Sequence, residues 1–232
     1  MRNKLLLEAV GTFFLCAASL MSAGALPVAA VLCALYYMGA SAGVLQYNPA
    51  LTLACRLRGR AGTRAFAAIA GVQALAMLAA AFVAGAMIGY DAERAQGAVD
   101  LLGAPIFEGY AAGGFAELLG TFLLALVFLL VGTSRLTAGN SYFGLALGLT
   151  AFALQGIFGE QGPAGNPAIT LASALIGTCA ALCEGLEGTR AFVTETVCLA
   201  RVAPRVAADV AVQFLGAALA AWFFRRLFPE DR

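Results

Sequence analysis

Long apolar blocks, broken by short polar or charged clusters, dominate the chain. Neither the strict alternation of a half-buried strand nor the narrow apolar stripe of a surface helix accounts for them. Measured against the roughly 20 residues a helix needs to cross a bilayer, the blocks predict membrane helices at about 5–23, 26–45, 65–90, 114–132, 141–158 and 206–228. Two stretches interrupt this pattern in the same way. QYNPALTLA runs from Gln46 to Ala54 and AGNPAITLA from Ala164 to Ala172. The apolar segments after each Asn-Pro, 49–57 and 167–176, are too short to cross and predict re-entrant half-helices.

The chain repeats itself. EAVGTFFL begins at Glu8 and ELLGTFLL at Glu117, 109 positions later. The Asn-Pro pairs lie 118 positions apart, and Gln73 has an analogue in Gln213, 140 positions on. Each half, about 1–100 and 110–232, then holds three spans with a re-entrant segment between the second and third. Three crossings is an odd number, so the second half enters the membrane from the opposite face. The prediction is a single all-α membrane domain over residues 1–232, with six transmembrane helices plus two re-entrant half-helices in an inverted repeat.

Composition agrees with a membrane solvent. The 232 residues are 62% hydrophobic and only 12% charged, against about 25% charged in an ordinary soluble domain. A net charge of +1 gives no nucleic-acid footprint. The chain has no His, which removes the commonest metal ligand and general base, and its six Cys form no CxxC pair. No metal, cofactor or enzymatic role is expected. The opening MRNK-LLLEAVG run resembles a signal peptide, but Glu8 inside it and its recurrence at Glu117 favour a retained span. With the N-terminus inside, ten Lys and Arg fall in internal segments and four, Arg94, Arg190, Arg201 and Arg205, in external ones. Both termini are therefore expected in the cytoplasm, with the plasma (inner) membrane as the expected location and an internal membrane as the alternative.

Asn is a preferred helix N-cap, and Pro is favoured at the first helical position. Asn48-Pro49 and Asn166-Pro167 thus each start a short helix in mid-membrane. Each start carries about half a positive charge, and the two-fold relation brings the starts together. The paired Asn amides then offer N–H donors to a neutral molecule between them, while a cation meets positive potential.

On these residues the chain resembles the aquaporins, the major intrinsic protein family of water channels and glycerol facilitators. The resemblance rests on Asn48-Pro49-Ala50 and Asn166-Pro167-Ala168, on the starts Glu8-x-x-Gly11-Thr12-Phe13 and Glu117-x-x-Gly120-Thr121-Phe122, and on Gln213 with Gly216-Ala217. It covers nearly the whole chain. It implies six tilted helices and two half-helices around one pore per subunit, a homotetramer with four independent pores, and passive conduction of water and small neutral solutes such as glycerol. It also implies that Glu8 and Glu117 brace the re-entrant loops by accepting backbone N–H bonds; a proton-relay role is the alternative for these intramembrane carboxylates.

The sequence departs from the family at the outer constriction. Ile169 stands where the family usually has an Arg, and the usual spacing puts the rest of the ring at Val28, Leu154 and Pro163. Gln46 and Tyr47 precede the first motif, where His is common. The ring is expected to be apolar throughout, giving more room but fewer donors for a dehydrating solute, or gating by dewetting. Two other functions stay open. A secondary transporter shares inverted repeats and broken helices, but this chain has only the two Glu residues for coupling. A non-conducting or gated structural membrane protein on the same fold is the other, although it has no need of the paired Asn.

Gly39-x-x-x-Gly43, Gly85-x-x-x-Gly89 and Gly144-x-x-x-Gly148 are spacings that let helices approach closely. Arg56, Arg58, Arg60 and Arg64 read as a topology-fixing cytoplasmic cluster, or as a site for anionic lipid. The stretch from Gly177 to Arg205 is long for the family and holds Cys179, Cys183 and Cys198; a Cys183–Cys198 disulfide and a non-bonded Cys179–Cys183 pair both fit it, as does a short surface helix over the outer mouth.

Overall fold

Both Asn-Pro pairs start helices, as their chemistry requires. In the computed structural model of the chain, which describes residues 1–22, 24–88, 110–158, 163–185 and 191–231, the regular elements are all helical. They are α1 (Arg2–Met21), α2 (Ala25–Met38), α3 (Pro49–Leu57), α4 (Thr63–Ile88), α5 (Tyr110–Phe128), α6 (Phe143–Phe158), α7 (Pro167–Gly185) and α8 (Ala191–Leu227). A π turn at Leu129–Thr133 extends α5. Among the described residues, four helices are long and apolar enough to cross a membrane, over Arg2–Met21, Thr63–Met87, Ala112–Thr133 and Ala203–Leu227. The helices α2 and α6 are apolar but shorter, at 14 and 16 residues.

Three expected boundaries are corrected. The second span was expected over 26–45, but α2 stops at Met38. A 3-10 turn at Ala40–Ala42 follows, and Gly43 at φ 88 takes a left-handed turn that an L side chain resists. Gly39 and Gly43 therefore belong to a turn rather than to a helix contact. The second half-helix, expected over 167–176, continues to Gly185, because the sequence that follows holds no Pro and its Ala and Leu residues outweigh the single Gly177. The last helix, expected over 206–228, begins at Ala191 and runs 37 residues with Pro204 inside it. A single Pro removes one ladder bond and leaves the rest. The expected short surface helix is thus replaced, in its described part, by extensions of α7 and α8. The side chains of Cys183 and Cys198 lie outside the described residues, as do Gly89 and most of the charges expected on the external side; Cys179 is a free thiol.

The packing carries the repeat. The contact of α1 with α4 is matched by that of α5 with α8, and α1 with α2 by α5 with α6. Likewise α3 packs on α8 and α7 on α4, so each half receives the short helix of the other. The α2–α6 and α3–α7 contacts map onto themselves. Every substantial helix contact is therefore preserved on exchanging the halves, as a pseudo-two-fold requires. The α2–α6 seam is close because a Cβ on Gly148 would strike the Cys33 side chain and meet the Ala29 carbonyl at 2.7 Å. The Gly144-x-x-x-Gly148 spacing is thus a packing feature. Outward faces carry large exposed apolar residues, among them Leu26, Phe82, Phe115, Ile157 and Trp222, which suits a lipid-facing surface. The polar side chains Glu8, Thr12, Thr52, Gln73, Thr121 and Gln213 are fully buried at its centre.

Candidate functional site

Asn48 is an N-cap in extended conformation, with Pro49 at the first helical position. Its Oδ1 accepts from the Ala50 N–H at 2.8 Å and the Leu51 N–H at 3.4 Å. Asn166 does the same for α7, accepting from the Ala168 N–H at 3.0 Å. With both oxygens turned to their own helices, both amide nitrogens face the opposite half. Asn48 Nδ2 donates to the Gly165 carbonyl at 2.7 Å, and Asn166 Nδ2 donates to the Tyr47 carbonyl at 3.1 Å. The acceptors are matched residues, each directly before its Asn, with φ of 57° at Gly165 and 54° at Tyr47. Each amide has a second N–H beyond the one used in this exchange. The starts of α3 and α7 thus meet head to head.

A second matched set holds these loops. Glu8 accepts from the Gln46 N–H at 2.8 Å and the Tyr47 N–H at 2.9 Å. Glu117 accepts from the Ala164 N–H at 2.8 Å and the Gly165 N–H at 3.0 Å. Gln73 Nε2 donates to Glu8 at 3.0 Å and Gln213 Nε2 to Glu117 at 2.9 Å. Each carboxyl group therefore holds two loop N–H groups and one amide, which is a bracing arrangement. Gln73 lies 3.1 Å from the Thr52 hydroxyl and Gln213 2.7 Å from that of Thr170. These threonines were not singled out from sequence, although both sit four residues after the Asn of their repeat.

Beside the Asn pair lies a cavity of about 350 Å³. Val28, Leu154, Pro163 and Ile169 all line it, together with Asn48 and Asn166. Along α2 the lining runs from Ala25 to Tyr36 on one face, about 17 Å at the helical rise, so the cavity is elongated. Matched aliphatic pairs face it: Leu15 with Leu124, and Leu51 with Ile169. These four positions are apolar, but the wall of the cavity around them is not apolar throughout. Gln155 and Ser173 also line it, and Gln155 Nε2 is held by the Pro163 carbonyl at 2.7 Å. Helical spacing accounts for this: Gln155 follows Leu154 and shares part of its face. Of the two residues before the first Asn, Gln46 lines the cavity, whereas Tyr47 is fully buried and donates its hydroxyl to the Leu35 carbonyl at 2.9 Å.

At the far end of α3, Arg58 is buried rather than displayed with its neighbours. It pairs with Asp231 at 2.9 Å, donates to the Thr133 carbonyl at 3.1 Å, and stacks over the Phe224 ring at 4.3 Å. Arg60 reaches the same carboxylate at 3.3 Å, and Arg56 donates to the Thr63 hydroxyl at 3.0 Å. The arginine cluster is thus partly a clasp, tying α3 to the end of α5 and to the segment after α8. Nothing in the sequence around Asp231 signals this. Among the described residues no grouping of His, Cys, Asp and Glu could hold a metal ion. No protein-family model matches the chain, and no curated protein matches it significantly.

Proposed function

We propose that this chain is a passive transmembrane channel of aquaporin type, conducting water and small uncharged solutes such as glycerol. The observation that carries the reading is the head-to-head pair of Asn-capped helix starts facing an elongated cavity that all four constriction positions line. In this reading α1, α2, α4, α5, α6 and α8 cross the membrane, with α3 and α7 entering from opposite faces and both termini inside. Nine residues of α3 give about 14 Å, half of the roughly 30 Å hydrocarbon core. Positive potential at both starts, with both Asn oxygens turned away, disfavours cations and leaves donors for a neutral solute. With Ile at 169 this exclusion rests on the Asn pair. The family resemblance supports a homotetramer in the plasma (inner) membrane. No chemical step is assigned.

The test is reconstitution in liposomes with vesicle volume followed by stopped-flow scattering. Fast shrinkage in an impermeant osmolyte is expected, with re-swelling in glycerol. Rates equal to those of empty vesicles would sink the conducting reading and favour a closed or structural protein gated at the aliphatic ring.

A further inference from the structure

We infer that Gln155 is a specificity-determining residue of the outer ring, supplying the hydrogen-bond donor that the ring side chains lack and so admitting neutral solutes that only accept. The inference rests on the channel reading above. Val28, Leu154, Pro163 and Ile169 carry no polar side-chain atom. The loop beside them keeps its backbone donors occupied. Pro163 has no N–H, and the N–H groups of Ala164 and Gly165 are held by Glu117. Acceptors are not scarce, since a carbonyl engaged once keeps a second lone pair. What a dehydrating solute lacks among these groups is a donor.

Gln155 is placed to give one. Ala151, Leu154 and Gln155 all line the cavity, and helical spacing puts them on one face of α6. Phe152, Ala153, Gly156 and Ile157 hold the rest of that stretch and are exposed. Gln155 is therefore turned to the cavity and away from the outward surface, and it is itself only partly buried. Its Nε2 donates to the Pro163 carbonyl at 2.7 Å, which fixes the amide at the level of the ring. An amide nitrogen carries two N–H bonds, and these diverge. The second points away from that carbonyl and has no partner. Oε1 has none either, and unlike Oε1 of Gln46 it is not sealed from solvent. A solute oxygen crossing the ring meets this N–H. A hydroxyl-bearing solute can also donate to the carbonyls, whereas a solute that only accepts depends on Gln155 alone.

The test compares glycerol, which donates and accepts, with dimethyl sulfoxide, a solute of similar size that only accepts. The protein and its Gln155→Met variant, of similar length without the amide, are reconstituted in liposomes. Empty-vesicle permeation is subtracted, and water flux and folded yield are measured in the same preparations. Gln155→Met releases the Pro163 carbonyl, so glycerol keeps a partner for its hydroxyls while dimethyl sulfoxide gains none. Dimethyl sulfoxide flux is expected to fall by about tenfold, the fold-change of one neutral hydrogen bond, and glycerol flux by less. Water flux should stay within a few-fold, because a water in file keeps its bonds to the waters on either side. Unchanged dimethyl sulfoxide flux in folded Gln155→Met overturns the inference. A fall of all three fluxes together, at unchanged ratios, also overturns it and leaves Gln155 a brace for the loop. The wild type tests it without any variant: water flux with no protein-mediated dimethyl sulfoxide flux overturns the inference and leaves the channel reading intact. Absence of water flux sinks the channel reading, and this inference with it.

Discussion

Asn48 donates to the carbonyl of Gly165 across 117 residues of chain, and Asn166 returns the bond to Tyr47. The two halves are thus sewn together at their helix starts, by side chains that also cap those helices. Removing either side chain loses a cap, worth about 1 kcal/mol, and a cross-loop bond, worth about 1 kcal/mol. Asn48→Ala and Asn166→Ala are each expected to lower the thermal midpoint in detergent by about 4–8 °C. An effect confined to one of the two would break the equivalence of the loops.

Glu8 and Glu117 give a sharper case, because truncation leaves donors buried and unpaired. Glu8→Ala orphans the N–H groups of Gln46 and Tyr47 and the Gln73 amide, at about 1–3 kcal/mol each. Little folded protein is expected by size-exclusion chromatography. Glu8→Gln keeps one oxygen for the loop and should fall between wild type and Ala, with the same ranking at position 117. Full folded yield from Glu8→Ala would remove the bracing role.

These two sets were legible in sequence because they repeat. One Asn-Pro is a turn signal; two in matched contexts, each preceded by a Glu-x-x-Gly-Thr-Phe start, define the loops, their caps and their braces. The lengths of α2, α7 and α8 were not legible, because an apolar run has no mark that separates a crossing helix from the turn after it. After Met38 the chain passed into a 3-10 turn that Gly43 closed through a backbone torsion, and Pro204 failed to break α8. Gln155 and Asp231 were hidden for another reason. Each acts through a partner distant in sequence or a face fixed only by packing.

Gly11 lies under the Tyr47 ring, where an added Cβ would collide with it; Gly120 has the same relation to Pro163. Gly11→Ala is expected to cost about 1–3 kcal/mol by overpacking. Tyr47→Gly removes the obstruction and suits the left-handed φ at 47, though it loses the phenol's bond to Leu35. In a Tyr47→Gly background, Gly11→Ala should therefore cost almost nothing. Unfolding of the four proteins in the cycle measures the coupling, and additive losses would contradict the contact.

Asp231 binds a pH dependence to the Arg58 clasp. Burial alone raises its carboxyl pKa, but the Ser134 hydroxyl, the Arg135 N–H and the Arg58 charge together outweigh this and hold it below the usual carboxylate value. Burial, with Arg60 adding to it and Asp231 opposing it, lowers the Arg58 pKa, yet a guanidinium stays charged throughout. A depressed carboxyl pKa contributes stability above the unfolded value of about 3.9 and loses it as pH falls through the folded value. Asp231→Ala is expected to destabilise by about 3 kcal/mol near neutral pH, by leaving Arg58 buried without its counter-ion. The gap to wild type should close on acidification below about pH 4. A gap that stays constant down to pH 3 would assign the effect to packing.

Ile169 and Leu51 stand at matched positions on α7 and α3, and both face the cavity. The wall is therefore aliphatic on both sides of the Asn pair, whereas the resemblance expects a guanidinium on one. Ile169→Arg restores that charge and fills space between Val28 and Leu154, which share the wall. Its cost in a membrane is about 2.5–3.5 kcal/mol unless the head reaches water or an acceptor, so folded yield must be measured alongside flux. The expected result, on the channel reading, is at least a tenfold fall in glycerol re-swelling with water flux kept within a few-fold, because one bulky donor group narrows the path and still pairs with water. Unchanged glycerol flux in well-folded Ile169→Arg vesicles would mean that the narrowest point lies elsewhere along α2, and would move the search to the stretch between Leu32 and Tyr36.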